Sequence, residues 1–140
     1  MKAMVRFIVK GKVLGKPRPK VNSNGHVWVP KRFTDYEKAI ARAYVEAGGK
    51  KLEGCVAVKV RTFRSLPNSR PKKLESEPDN FKPDVDNIGK IFLDALNGVA
   101  YEDDKQVTIL CVTKMPRAMR EEFATVTVEP ITNDSECSVC

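Results

Sequence analysis

Residues 84–90 read Asp-Val-Asp-Asn-Ile-Gly-Lys, which sets two carboxylates two positions apart and Lys90 four beyond the second. In extended backbone Asp84 and Asp86 point to one side of the chain, and a helix starting just after them carries Lys90 one turn further on. Asp103 and Asp104 follow a chain reversal at Gly98 and directly precede a β-rich run, so they are expected to return to the same end of the sheet. Across residues 84–104, six carboxylates (Asp84, Asp86, Asp94, Glu102, Asp103, Asp104) face the single cation Lys90. Converging carboxylates call for a cation, and a set of hard oxygen donors suits Mg²⁺, or Mn²⁺ in its place. Such an ion turns a water into a nucleophile and offsets charge on a phosphoryl group. Taken singly, each residue has a plainer role: Asp86 as a helix N-cap, Asp94 as an i,i+4 partner of Lys90, Asp103-Asp104 as a turn. Their clustering on a basic chain favours the metal reading.

The chain has 140 residues and a net charge of +7, distributed unevenly. From Met1 to Thr34 there are nine cations (Lys2, Arg6, Lys10, Lys12, Lys16, Arg18, Lys20, Lys31, Arg32) and no carboxylate, whereas the remainder is slightly acidic. A duplex carries about one phosphate charge per 1.7 Å of axis. Lys16, Arg18, Lys20, Lys31 and Arg32, with Lys72 and Lys73 in a later loop, are therefore the candidate DNA-binding residues. Only one histidine, His26, is present, which counts against hydrolytic chemistry built on several imidazole ligands. Trp28 belongs in the core or a dimer interface by preference; stacking on unpaired bases, with His26 beside it, is the alternative.

The elements that must position these residues follow from local patterns. Val5, Phe7 and Val9 alternate with Arg6, Ile8 and Lys10 as a strand, and Gly15-Lys-Pro-Arg-Pro-Lys20 forms a loop or edge. Asn24-Gly25 signals a turn, with residues 26–29 returning as a short strand of a basic flap. Thr34-Asp-Tyr-Glu37 reads as a capping box, opening a helix with Tyr36, Ile40 and Tyr44 on its apolar stripe that ends at Gly48-Gly49. Residues 56–61 read as a strand, residues 64–83 as a long polar loop with four prolines. Ile88, Ile91, Phe92, Ala95, Leu96 and Val99 recur at helical spacing up to Asn97-Gly98. Residues 106–114 and 123–128 read as two strands joined as a hairpin. The order β(β)αβαββ predicts an α+β domain over residues 1–130, a mixed or antiparallel sheet of four to five strands with two helices on one face, and a flexible tail over 131–140. Cys55 and Cys111 read as buried thiols. Cys137 and Cys140 have the spacing of half a zinc site but lack two further ligands. The charged first residues offer no secretory segment and no apolar run could span a membrane, so a cytoplasmic protein is expected.

Lys82-Pro-Asp-Val-Asp-Asn-Ile-Gly-Lys90, Leu93-Asp-Ala-Leu-Asn-Gly98 and Tyr101-Glu-Asp-Asp-Lys-Gln-Val107 together resemble the signature of the RusA family of Holliday junction resolvases. Gly15-Lys-Pro-Arg-Pro-Lys20 and Gly25-His-Val-Trp-Val-Pro-Lys31 are similar to the start of its phage and prophage members, so the resemblance covers residues 11–128. It implies a Mg²⁺-dependent homodimeric endonuclease making paired nicks in branched, four-way DNA. By position, Asp84, Asp86 and Asp104 would be the essential metal-binding aspartates, Asp103 a supporting carboxylate and Lys90 the essential lysine; Asn87 would orient a carboxylate or cap the helix. The chain departs from the family in its long loop, where Glu75, Glu77 and Asp79 stand in a region that tends to be basic.

Two other readings are open. Pro83-Asp84 with Asp103-Asp104-Lys105 also fits the loose PD…D-x-K pattern of restriction-like nucleases, whose acids sit on a β-hairpin; secondary structure over residues 86–97 discriminates. The chain could alternatively be a DNA-binding module without catalysis, which a nicking assay on four-way junctions would separate from an enzyme.

Overall fold

The computed structural model describes residues 4–66, 79–118 and 120–131. Its elements in chain order are β1 (Val5–Lys10), β2 (Lys20–Val21), β3 (Val27–Trp28), α1 (Lys31–Glu46), β4 (Val56–Phe63), α2 (Val85–Leu96), a 3₁₀ turn (Asp104–Gln106), β5 (Val107–Lys114) and β6 (Phe123–Pro130). This is a single α+β domain. A mixed four-stranded sheet runs in the order β1-β6-β4-β5, and β2 and β3 form a separate two-stranded sheet. β4 and β5 are parallel, joined through α2, while β6 is antiparallel to both β1 and β4.

The alternation in β1 sends Phe7 and Val9 into the core and leaves Arg6 and Ile8 exposed. Tyr36, Ile40 and Tyr44 form the buried stripe of α1, and Ile88, Ile91, Phe92, Ala95 and Leu96 that of α2. The two stripes and the sheet share one core, with Phe7 edge-on to Tyr44 (5.8 Å between ring centres) and Tyr36 edge-on to Phe92 (5.9 Å). Gly89, on the buried stripe, admits β5: a β-carbon there would come within 2.9 Å of Leu110 Cδ2.

Several expectations are corrected. β5 and β6 do not form a hairpin; β4 lies between them and pairs with both. The reason is burial, since Val56, Ala57, Val58, Val60 and Thr62 of β4 are almost wholly excluded from solvent, which an outer strand could not achieve. The capping box at Thr34 does not form. α1 begins a turn earlier, after Pro30, whose fixed φ suits the start of a helix; Thr34 Oγ1 donates to Lys31 O and Glu37 turns to Lys16. α2 likewise begins at Val85, so Asp84 occupies its N-cap position and Asp86 its first turn rather than an extended pair. Cys55 is an exposed free thiol, while buried Cys111 is disulfide-bonded, so neither is the buried thiol expected. Trp28 is 43% exposed and has no place in the core. Lys72, Lys73, Glu75, Glu77, Cys137 and Cys140 lie outside the described residues.

Candidate active site at the two ends of a helix

The segment leading into α2 is held from below. Asp79, whose side chain is fully buried, accepts from Arg64 Nη1 (3.3 Å) and from the Phe81 amide (3.2 Å). The Phe81 carbonyl accepts from Arg64 Nη1 at 3.4 Å and from Lys114 Nζ, and the Arg117 guanidinium lies 5.0 Å above the Phe81 ring. A buried carboxylate is tolerable only when paired, and this pairing fixes the chain directly before the cis Lys82-Pro83 bond and Asp84. The apparent anomaly of an acid in this loop thus resolves for Asp79, whose charge is internal to the fold.

From that anchor Asp84 enters α2 in extended conformation (φ −74°, ψ 157°), and its carboxylate makes no capping hydrogen bond. Asp86 Oδ1 accepts from the Asn87 amide (2.9 Å). Both acids sit at the positive end of the helix dipole, which favours their charge. Lys90 stands one turn further on, and Asp84, Asp86 and Lys90 are all exposed.

The other end of α2 is closed by Gly98 (φ +82°), a left-handed conformation suited to glycine. Buried Tyr101 donates from its hydroxyl to Leu93 O (2.7 Å), fixing the return of the chain. A reciprocal cap then forms at Asp103: its Oδ1 accepts from the Lys105 amide (3.0 Å), while Gln106 Oε1 accepts from the amides of Asp103 (3.2 Å) and Glu102 (2.9 Å). The Gln106 amide group also donates to Leu52 O and Gly54 O, tying the turn to the loop before β4. Asp103-x-x-Gln106 is a capping-box spacing that was legible in the sequence, and Gln106 is the positioning residue it reveals.

The neighbouring Asp103 and Asp104 carboxyls act on each other. The Asp103 carboxyl beside it, then desolvation and the charge of Asp94, hold the Asp104 carboxyl above its ordinary value. Asp103 is held below its own, chiefly by the Lys105 amide. Desolvation, then the charges of Asp104 and Asp94, pushes the Tyr101 hydroxyl up. Asp94 pairs not with Lys90 but with Lys16, whose Nζ lies 3.0 Å from Asp94 and 2.8 Å from Glu37. Burial opposes the Lys16 charge, but the two carboxylates outweigh it and raise its pKa. Lys16 therefore sits inside the acidic region, while Arg18, Lys20, Lys31 and Arg32 remain exposed on the same side of the sequence.

The carboxylates form two groups, Asp84 and Asp86 at the start of α2 and Asp94, Asp103 and Asp104 at its end. Asp94 lies eight positions beyond Asp86, about 12 Å along a helix axis. Among the described residues no three carboxylates, cysteines or histidines stand close enough to hold one metal ion. Within one chain, the expected convergence of Asp103 and Asp104 on Asp84 and Asp86 does not occur. The donor chemistry still fits a hard cation at each end: the carboxylates of Asp84, Asp86, Asp103 and Asp104 are exposed, and the adjacent charges of Asp103 and Asp104 are ones a cation would relieve. The broad groove on the open face of the sheet, lined by Arg6, Lys59, Arg61, Thr113, Thr125 and Thr127, holds no part of either group.

The helix over residues 85–96 counts against the PD…D-x-K alternative, whose acids usually sit on a β-hairpin. No helix among the described residues is long and apolar enough to cross a membrane. Sequence comparison bears on the same residues. The chain is 32% identical over 122 residues to the uncharacterized protein YqaN of Bacillus subtilis (strain 168), a match covering 79% of this chain and 86% of the relative. The family model described as endodeoxyribonuclease RusA matches residues 10–129, which takes in both carboxylate groups, Lys90 and the basic residues from Lys10 to Arg32. The chain belongs to the RusA endodeoxyribonuclease family.

Proposed function

We propose that this protein is a divalent-cation-dependent endonuclease that resolves four-way DNA junctions by paired nicks, acting as a C₂ homodimer whose two active sites are each shared between subunits. The observation that carries the reading is the division of the carboxylates between the two ends of α2, in a chain that belongs to a nuclease family. Two copies of α2 related by a two-fold axis and running antiparallel would set Asp84 and Asp86 of one subunit against Asp103 and Asp104 of the other. A C₂ dimer makes two such sites, matching the two symmetric cuts a junction needs.

In each site Asp84, Asp86 and Asp104 would hold the cation, with Asp103 supporting Asp104. Mg²⁺, or Mn²⁺ in its place, would supply water activation and neutralisation of phosphoryl charge. Lys90, exposed one turn beyond Asp86, would place its ammonium against the scissile phosphate and stabilise the charge that builds on its oxygens. Arg18, Lys20, Lys31 and Arg32, with Lys72 and Lys73, would hold the DNA backbone. Lys16 would act from within, fixing the N-terminal loop to both helices through Glu37 and Asp94. A cytoplasmic location would give it access to such a substrate.

The test is nicking of a synthetic four-way junction with and without Mg²⁺, using Asp84→Asn and Asp104→Asn variants separately and mixed. Each variant alone should lose at least about a hundredfold in cleavage yet still bind the junction. Mixing them should restore one cutting site per heterodimer, because one shared site then receives both intact aspartates. Binding without cleavage by the unmodified protein would favour the non-catalytic module. Cleavage that mixing does not restore would place each site within one subunit.

A further inference from the structure

We propose that Trp28 is a base-stacking residue that engages unpaired bases at the branch point and so separates branched from linear DNA, an inference that rests on the nuclease reading above. Every residue from Arg18 to Trp28 is exposed. β2 and β3 pair only with each other, Lys20 opposite Trp28 and Val21 opposite Val27. The hairpin is short, but its turn is well defined. Asn22 Oδ1 accepts from the amides of Asn24 (3.0 Å) and His26 (2.9 Å), and Gly25 takes the left-handed conformation (φ +77°).

Such a projection ought to be polar throughout, yet it leaves Val21, Val27 and Trp28 in water, at 65%, 56% and 43% exposure. Alternation along the strands puts Lys20 and Trp28 on one face, and the Lys20 ammonium lies 5.3 Å over the indole. An indole beside an ammonium matches a nucleotide: the ring covers the base, and the cation meets its phosphate. Charge favours nucleic acid over a protein surface as the occupant, because residues 1–34 hold no carboxylate. The faces of bases within a duplex are already covered by their neighbours, whereas a base pair at an unstacked branch point has one open face and parts more readily.

The hairpin is also rooted beside the candidate catalytic segment. Gly15 packs against Pro83 and Asn87, and the Lys16 amide donates to Asn87 O (2.8 Å). Four residues lead from Lys16 to Lys20, a span of at most about 14 Å. A base stacked on Trp28 would thus lie within a few nucleotides of a phosphate at Asp84 and Asp86.

Trp28 is the only tryptophan of the chain, so its emission reports on this site alone. The probes are a four-way junction, a linear duplex of the same sequence, and a short single-stranded oligonucleotide. Quenching and a shift of the emission on the junction and the single strand, and not on the duplex, are expected. Trp28→Ala should weaken single-strand and junction binding about five- to hundredfold and duplex binding less than about twofold, with Trp28→Phe retaining most of the affinity. Unchanged emission while labelled junction binds would overturn the proposal. So would emission that changes with protein concentration in the absence of DNA, which would assign Trp28 to a contact between copies. Quenching by single strands from a protein that cuts no junction would leave the stacking role standing and remove the nuclease reading.

Discussion

Gly15 lies against Pro83 so closely that a β-carbon on the glycine would come within 2.7 Å of the proline Cβ, and within 3.0 Å of Asn87 Cβ. Neither atom is the end of a flexible chain, so one backbone must move. Gly15→Ala should therefore cost about 1–3 kcal/mol and shift the start of α2 relative to the basic hairpin. Urea unfolding should show the loss, and cleavage should fall by more than the remaining folded fraction explains. A variant as stable and as active as the original would show that the loop has room.

Lys90 is exposed on α2, so its removal opens no cavity. Lys90→Ala should keep its circular dichroism and bind junctions within a few-fold of the original, while single-turnover cleavage falls about a hundredfold or more. Cleavage within a few-fold of normal would make Lys90 a surface residue of the helix.

Asp79 and Arg64 form a buried pair, and removing one partner strands the other charge. Asp79→Asn should cost about 3–5 kcal/mol, whereas Arg64→Met with Asp79→Leu should recover most of the stability. Cleavage is expected to stay low in the double variant, because the Phe81 amide and carbonyl lose the groups that set the approach to Asp84. Full activity in the stable double variant would limit the pair to folding.

Asp104 is held above its ordinary value first by the Asp103 carboxyl beside it, and Asp103 below its own first by the Lys105 amide. A raised value means that the folded chain takes up this proton more readily than the unfolded one. The Asp104 penalty is therefore present above its folded pKa and relieved as the pH falls through it. Asp103 acts in the opposite sense, its contribution being lost as the pH falls through its folded pKa. Carbon NMR of the side-chain carboxyls should show Asp104 titrating above Asp103, and Asp103→Asn should return Asp104 towards its ordinary value. An unmoved Asp104 titration in that variant would contradict the assignment.

Much of this protein was legible in the sequence because its signals are short-range. The alternation of Val5, Phe7 and Val9, the apolar periodicity of residues 88–96, and the stops at Gly48 and Gly98 each depend on a few neighbouring residues and the period of one element. Long-range partners decided the rest. Thr34 had the right neighbours for a capping box, but Pro30 starts α1 a turn earlier, and Lys16, far away in sequence, takes Glu37. β5 and β6 carry the signature of neighbouring strands, yet the apolar burial available to β4 places it between them. Asp79 reads as one more acid in a polar loop until Arg64 of β4's outgoing end buries it. The residue types and spacing determined which groups could bind a metal and meet a phosphate. Only the tertiary structure, through the length of a rigid helix, decided that one chain keeps them in two separate groups.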